Sequence, residues 1–235
     1  MANHGKRYLE AAQAVDRTRL YTPEEAIAAL KGLPHAKFDE TVELHFRLNV
    51  DPRHADQQVR STVMLPAGTG KRVRIMAFVE GDAAAAAREA GADYVGTDEY
   101  IQRIQDGWLD FDVAIAEPRA MGKIGRLGRV LGPRGLMPNP RAGTVVQAED
   151  VATTIEQLQQ GRVEFRVDRT SNLHVPIGKL SFEPEQLMEN LVAVVSAVTR
   201  ARPAAVRGQY MRRVVLTSTM GPGLNLDVSA AQAGR

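Results

Sequence analysis

Stretches in which hydrophobic and polar residues alternate lie at both ends of the chain. From Thr41 to Val50, every second residue from Val42 onward is apolar, and residues 162–168 and 173–177 repeat the pattern. Residues 212–219 read as a further strand of this set. Alternation with a period of two predicts strands with one apolar and one polar face. We therefore expect both ends of the chain to contribute half-buried strands.

Two helices accompany these strands in the sequence. Thr22 followed by Pro23 and Glu25 forms a capping box, which predicts a helix that ends near Gly32. Near the C-terminus, an apolar stripe with helical spacing predicts a long helix over about residues 183–200.

The middle of the chain has a different pattern. Residues 73–79 and 111–116 are apolar runs, typical of fully buried strands, and 92–95 is a short strand. Helical segments are predicted between and after them, over residues 82–90, 97–105 and 151–161. Strands that alternate with helices at these spacings favour a parallel α/β sheet with right-handed crossovers.

These patterns predict an insertion of one domain into another. The expected fold is a split α+β domain, an antiparallel sheet with helices on one face, made from residues 1–67 and 160–235. Residues 68–159 form an inserted Rossmann-like, three-layer α/β domain, with hinges near 65–69 and 159–162. The alternative is a single mixed sheet.

Composition excludes several classes of function. The 235 residues carry 30 Lys and Arg against 28 Asp and Glu, and the resulting net charge of +2 excludes a histone-like polycation. The absence of cysteine excludes disulfide frameworks, thiol catalysis and cysteine zinc sites. No apolar run has the roughly 20 residues of a membrane span, and no signal core follows the N-terminus. We expect a soluble cytoplasmic protein.

Positive charge is concentrated in two stretches without any acid, residues 118–148 and 190–226. The first is also rich in glycine and proline, so its backbone can approach a ligand closely while arginine side chains pair with phosphates. This distribution is typical of nucleic-acid binding. The structural alternative is a solvated loop and a helix end with cations that favour its dipole.

The polar face of the predicted antiparallel sheet indicates the same chemistry. If the four half-buried strands form one sheet, that face carries Thr41, Glu43, His45, Arg47, Arg166, Asp168, His174, Arg213, Thr217 and Thr219. Hydroxyl and basic groups suit contacts with phosphates and ribose 2′-hydroxyls, whereas the exposed aromatic pairs that stack bases are missing. An ordinary solvated face explains the strand pattern equally well.

Catalytic motifs are incomplete. Gly70 and Lys71 resemble part of a phosphate loop, but Leu65 occupies the position of its first glycine and Arg72 that of the magnesium-binding hydroxyl. The five histidines lack the spacing of a helical zinc pair. We expect no catalytic residue, metal site, cofactor or small-molecule substrate. The rival hypothesis is a cytosolic nucleotide- or phosphate-handling α/β enzyme that uses residues 68–71.

Several motifs resemble a known family. Residues 131–140, Leu-Gly-Pro-Arg-Gly-Leu-Met-Pro-Asn-Pro, with Gly-Thr-Val at 143–145, are similar to the signature of the first protein of the large ribosomal subunit. Lys-Phe-Asp-Glu-Thr-Val-Glu at 37–43 and Thr-Met-Gly-Pro at 219–222 are similar too, as are the shorter matches at 51–53 and 91–93. The resemblance runs collinearly from about Tyr8 to Leu224 and indicates a bacterial member.

The resemblance implies a function without catalysis. Members bind folded large-subunit rRNA in the mobile stalk beside the tRNA exit site and move with deacylated tRNA during translocation. Many bacterial members also bind their own mRNA and repress its translation. The implied partners are thus large-subunit rRNA, deacylated tRNA and the protein's own mRNA. The implied location is the ribosome in the cytoplasm, and outside the ribosome the protein is expected to be a monomer.

Site residues follow from the matching positions. The resemblance implies that the split domain carries the main rRNA-binding surface, made of Lys37, Phe38, Thr41, Arg166, Asp168, Thr170, His174, Thr217, Ser218, Thr219, Met220 and Gly221. A secondary RNA contact is expected on the glycine-rich stretch, at Lys123, Arg126, Arg129, Arg134 and Arg141. One difference is noted at 171–172, Ser-Asn, a turn where many members have glycine.

Overall fold

The computed structural model describes residues 5–234 and contains both kinds of sheet that the hydrophobic pattern predicts. The helices are α1 Lys6–Gln13, α2 Pro23–Gly32, α3 Asp82–Glu89, α4 Asp98–Gln105, α5 Met121–Ile124, α6 Gly128–Leu131, α7 Val151–Gln159, α8 Pro184–Arg200 and α9 Val228–Ala233. The strands are β1 Thr41–Leu48, β2 Arg60–Met64, β3 Ile75–Phe78, β4 Tyr94–Val95, β5 Val113–Ala116, β6 Arg162–Arg166, β7 Asn172–Lys179, β8 Met211–Ser218 and β9 Leu224–Leu226. Short 3-10 turns occur at Ala55–Gln57, Gly125–Leu127, Pro140–Ala142 and Ala148–Asp150.

The chain divides into two compact units. One consists of residues 5–70 and 161–234 of the described chain, and the other of Lys71–Gln160. The strands form three separate sheets, so the alternative of a single mixed sheet is excluded for the described residues.

The first unit is built on an antiparallel sheet of order β7-β1-β8-β9. Alternate residues of β1, from Val42 to Leu48, are buried and pack with the apolar stripes of α2 and α8. Helix α2 begins at the predicted cap, because the Thr22 hydroxyl accepts from the Glu25 amide while the Glu25 carboxylate accepts from the Thr22 amide. The opposite face of the sheet carries the polar residues, and we call it the open face.

One sequence prediction about this sheet is wrong. Strand β6 does not join β1, β7 and β8; it pairs with β2 in a separate two-stranded ribbon. The fourth strand of the main sheet is instead β9, three residues long. Neither β2 nor β9 was predicted, because both are short and neither has a long alternating run.

The second unit has three layers. Its parallel sheet has the order β4-β3-β5. Helices α3 and α7 pack on one side and α4 on the other, around strands that are almost fully buried. The glycine-rich stretch folds into short helical turns, and Ile124, Leu127 and Leu131 anchor these turns in the core. Part of this stretch therefore serves packing.

Candidate nucleic-acid interface

The strand register arranges the open face in cross-strand rows. Thr41 lies opposite Lys179, and the Lys179 Nζ donates to the Thr41 hydroxyl at 2.8 Å. In the next row Glu43 lies opposite Thr217, and further along His45 lies opposite His174. The last row places Arg47 between Asn172 on β7 and Arg213 on β8. The face thus presents hydroxyl groups at one end and guanidinium groups at the other.

Beyond the end of β8, residues Thr219–Gly221 form an exposed loop that is fixed to the start of β1. The Thr219 hydroxyl accepts from the Thr41 amide at 3.0 Å, and the Thr219 amide donates to the Thr41 carbonyl at 3.0 Å. Met220 follows and is 53% exposed, so it presents an apolar surface to the solvent. We call this segment the 219–221 loop.

Glu40 holds the 219–221 loop from below. It is 1% exposed, and its Oε2 accepts from the Ser218 hydroxyl at 2.6 Å and from the Met220 amide at 3.0 Å. Its Oε1 accepts from the Ala36 amide at 2.6 Å. One carboxylate thus joins the segment that carries Lys37 and Phe38 to the segment that carries Met220.

The charge state of Glu40 follows from these contacts. Burial alone raises the pKa of the Glu40 carboxyl, but the hydrogen bonds from Ser218, Ala36 and Met220 outweigh burial and hold that pKa below its ordinary value. Glu40 therefore stays ionised, and its negative charge is stabilised by hydrogen-bond donors inside the protein.

Glycine at 221 is required by packing. A Cβ at this position would lie 2.6 Å from the Ser218 Oγ, the same hydroxyl that donates to Glu40. A side chain at 221 would therefore displace the support of the loop. On the other side of the turn, the Thr217 hydroxyl lies 3.1–3.4 Å from the carbonyls of Ser218, Gly221 and Pro222 and can donate to one of them at a time.

The turn between β6 and β7 is organised by Asp168. Its carboxylate accepts from the Thr170 amide and from the Asn172 amide, each at 2.8 Å, and from the Thr170 hydroxyl at 2.7 Å. Burial raises the pKa of Asp168, and these hydrogen bonds more than compensate, so the pKa lies below its usual value. Ser171 adopts φ 65°, the left-handed region that favours glycine. The Asp168 carboxylate thus supports this turn, whose backbone resembles that of a glycine turn.

Two histidines touch on the open face. The Nδ1 atoms of His45 and His174 are 2.7 Å apart, and each ring has a carboxylate nearby, Glu43 at 3.7 Å and Asp168 at 3.8 Å. Burial, followed by the charge of His174, lowers the pKa of His45, and Glu43 opposes this shift. A shared hydrogen bond between the rings requires that one of the two facing nitrogens carries no proton.

The remaining site residues of the first unit are placed as follows. Lys37 and Phe38 are exposed just before β1, with Phe38 54% exposed. Ser218 is buried, so its hydroxyl faces Glu40 and not the solvent. The placement of Arg166 on the open face is wrong, because β6 lies in the ribbon with β2. There Arg166 pairs across from Arg60 and is exposed, and its side chain has no hydrogen bond or ion pair with any described residue.

The basic residues of the second unit differ in their freedom. Lys123 is paired with Glu80 at 2.8 Å and Asp98 at 3.2 Å, and the bond to Glu80 raises the pKa of its ammonium group most. The Arg126 side chain donates to the Lys123 carbonyl. The exposed guanidinium groups of residues 118–148 are those of Arg119, Arg126, Arg129, Arg134 and Arg141.

Two features bear on the rival hypothesis of a nucleotide-binding enzyme. They are the contacts of the turn at 68–71 and the lining of the cleft beside the parallel sheet. Lys71 pairs with Asp112, directly before β5, at 2.7 Å. A cleft of about 320 Å³ does lie at the carboxyl ends of β3 and β5, where α/β sheets commonly bind ligands. Glu80 and Glu117 line it together with Arg119 and Lys123, so its lining carries no net positive charge to attract phosphate.

Two residues of this interface escaped the sequence analysis. Glu40 lies within the motif at 37–43, yet an acid is not expected to support a surface that is predicted to bind RNA. Lys179 ends an otherwise ordinary strand, and its contact with Thr41 depends on the register of β7 against β1. Only tertiary structure makes either role visible.

Among residues 5–234 no cluster of three or more metal-ligating side chains occurs, and no helix could span a membrane.

Comparison with known proteins identifies the family of the chain. Residues 29–222 match the model of the Ribosomal protein L1p/L10e family. The protein named large ribosomal subunit protein uL1 from Chloroflexus aurantiacus is 58% identical over 99% of this chain and 98% of its own length. Those of Thermomicrobium roseum and Kosmotoga olearia are 56% and 54% identical, each over 97% of this chain and over 95% and 97% of their own lengths. The resemblance inferred from the motifs is confirmed, and the chain belongs to the Ribosomal protein L1p/L10e family.

Proposed function

We propose that this protein is a structural constituent of the large ribosomal subunit, without catalytic activity, and that it binds folded rRNA through the 219–221 loop and the open face. The single observation that carries the proposal is the junction at Glu40. It presents Met220 and Thr219 beside Thr41, with Lys37 and Phe38 on the adjoining segment. Family membership and the relatives' name support the ribosomal role.

The chemistry of the loop suits folded RNA. Met220 offers a polarisable apolar surface for a ribose or a base face, and hydroxyls at its side can contact ribose 2′-hydroxyls. Lys37 and the guanidinium groups of Arg47 and Arg213 supply the phosphate contacts. Ser218 and Glu40 act as positioning residues beneath this surface, since both are buried.

We further propose the division of labour that the sequence predicts. The split unit, residues 1–67 with 160–235, provides the main rRNA contact, and the segments near 65–69 and 159–162 act as hinges. Four of the exposed arginines of the glycine-rich stretch, Arg126, Arg129, Arg134 and Arg141, add a weaker contact from the inserted unit. Deacylated tRNA at the exit site and the protein's own mRNA are the further RNA partners of a chain that is monomeric outside the ribosome.

A substitution on the loop surface tests the site. Met220→Asp places a carboxylate where RNA phosphates would approach, so we expect at least a tenfold loss of affinity for the stalk segment of large-subunit rRNA, with unchanged folding. Met220 suits this test better than Thr219, whose hydroxyl also bonds to the Thr41 backbone. The measurement is a gel-shift titration at fixed salt, with circular dichroism as the check of folding.

Leu20→Asp is the matched control, because Leu20 is a large apolar side chain of this unit that is 62% exposed and is not among the proposed contact residues. It should leave RNA affinity unchanged. Equal affinity of Met220→Asp and the unmodified protein would remove the 219–221 loop from the interface.

The affinity for RNA should also fall steeply with salt, by roughly 0.7–0.9 log units per phosphate contact for each tenfold increase in salt concentration.

A further inference from the structure

A groove between α2 and α8 lies on the helical side of the split unit, away from the open face. Its floor is formed by Ile27, Ala28, Pro184 and Met188, and its volume is about 410 Å³. Both helices turn their buried stripes towards the sheet, so this groove is the seam between their outer surfaces.

The rim of this groove is acidic and lacks counter-ions. Glu24, Glu185 and Glu189 line it, all three are exposed, and none has an ion pair or side-chain hydrogen bond with any residue from 5 to 234. Glu185 and Glu189 stand four residues apart on α8, where like charges destabilise a helix. The dipoles of the two helices favour Glu24 and Glu185 in their first turns, but Glu189 lies beyond that turn.

An apolar floor between unpaired carboxylates selects the chemistry of its ligand. Nucleic acid is repelled by the three negative charges. A cationic amphipathic helix is complementary, because its apolar residues can enter the groove while Lys or Arg side chains on both flanks reach the carboxylates. We propose that the groove between α2 and α8 is a docking site for a basic amphipathic helical segment of a partner protein.

This site is independent of the proposed RNA interface. The 219–221 loop and the open face belong to the polar side of the sheet, whereas α2 and α8 cover its apolar side. The protein can therefore hold RNA on one side and a basic protein segment on the other. Failure of RNA binding would leave this inference untouched.

The test uses the full chain with its methionine methyl groups labelled for NMR. Met188 reports on the groove and Met220 on the 219–221 loop. The probe is a short synthetic peptide of leucine and lysine with helical amphipathic spacing, and the control peptide has the same composition in scrambled order. We expect the amphipathic peptide to shift the Met188 signal saturably and to leave Met220 unmoved.

A matched pair of triple variants assigns the binding to the rim. Substitution of Glu24, Glu185 and Glu189 by glutamine should weaken peptide binding at least tenfold. Substitution of Glu89, Glu149 and Glu156, which are exposed on the other unit, removes the same charge and should have no effect. Equal binding of the scrambled peptide, shifts at Met220 in place of Met188, or no loss in the first variant would overturn the proposal.

Discussion

Glu40 concentrates the design of the interface in one side chain. Its two carboxylate oxygens accept three hydrogen bonds, from residues on both sides of the loop junction, and no counter-ion is needed. The donors that stabilise this charge are themselves fixed in the fold. Glu40 thereby positions the 219–221 loop, although it is not exposed on the loop surface. Residues of this kind determine where the exposed groups stand.

Replacement of Glu40 by glutamine tests this role. The amide nitrogen of Gln cannot accept, so at least one buried donor among Ala36, Ser218 and Met220 loses its partner. We expect the free energy of unfolding to fall by about 1–3 kcal/mol and RNA affinity to fall with it. Urea denaturation and gel-shift titration measure the two effects. Glu10→Gln, on an exposed helix, is the control, and an unchanged stability of Glu40→Gln would contradict the positioning role.

The histidine pair predicts a pH dependence. The pKa of His45 is lowered in the folded protein, so between that value and about 6.5 the unfolded chain binds more protons than the folded one. Stability therefore rises with pH through this window and is lost as pH falls. The lowered pKa of Glu40 acts in the same direction, but below its ordinary value of 4.5. Urea titrations from about pH 5 to 7.5 should show a smaller slope for His45→Gln; an identical slope would exclude His45 as its source.

At the scale of elements, long periodic patterns were predictable and short or unpatterned ones were not. The alternation in β1 and the capping box of α2 gave the correct elements because each encodes its own burial or cap. Strand pairing carries no such local signal, so β6 was assigned to the wrong sheet and Arg166 with it. The candidate site was predictable where motifs named its exposed residues, but its supports, Glu40 and Lys179, depend on contacts across the chain.

Asn190 on α8 connects elements in a way that no local pattern reveals. It is fully buried, its side-chain oxygen accepts from the Ala67 amide, and its nitrogen donates to the Gly68 and Ile177 carbonyls. We expect Asn190→Ala to lower the free energy of unfolding by about 2–3 kcal/mol, because these backbone groups lose their partner. Chemical denaturation is the measurement, and Ser196→Ala on the exposed side of α8 is the control. A loss no larger than that of the control would show that residues 67–68 are held by other contacts.

The whole molecule combines two units with separate cores. If the proposed division of labour holds, residues 1–67 joined to 160–235 by a short linker should unfold cooperatively and bind stalk RNA within about tenfold of the full chain, a difference of about 1.4 kcal/mol. Calorimetry and gel-shift titration are the measurements. A shortened chain that folds but does not bind RNA would assign the main contact to the inserted unit instead.

The place where the chain leaves the split unit is also the place where it returns. The Leu65 amide donates to the Gly161 carbonyl at 3.2 Å, and a Cβ on Gly161 would lie only 2.7 Å from the Cα of Gly68. The two ends of the insertion are thus held together by contacts that lie within the split unit itself. This position can therefore accept a different inserted domain, provided that the two termini of that domain lie side by side.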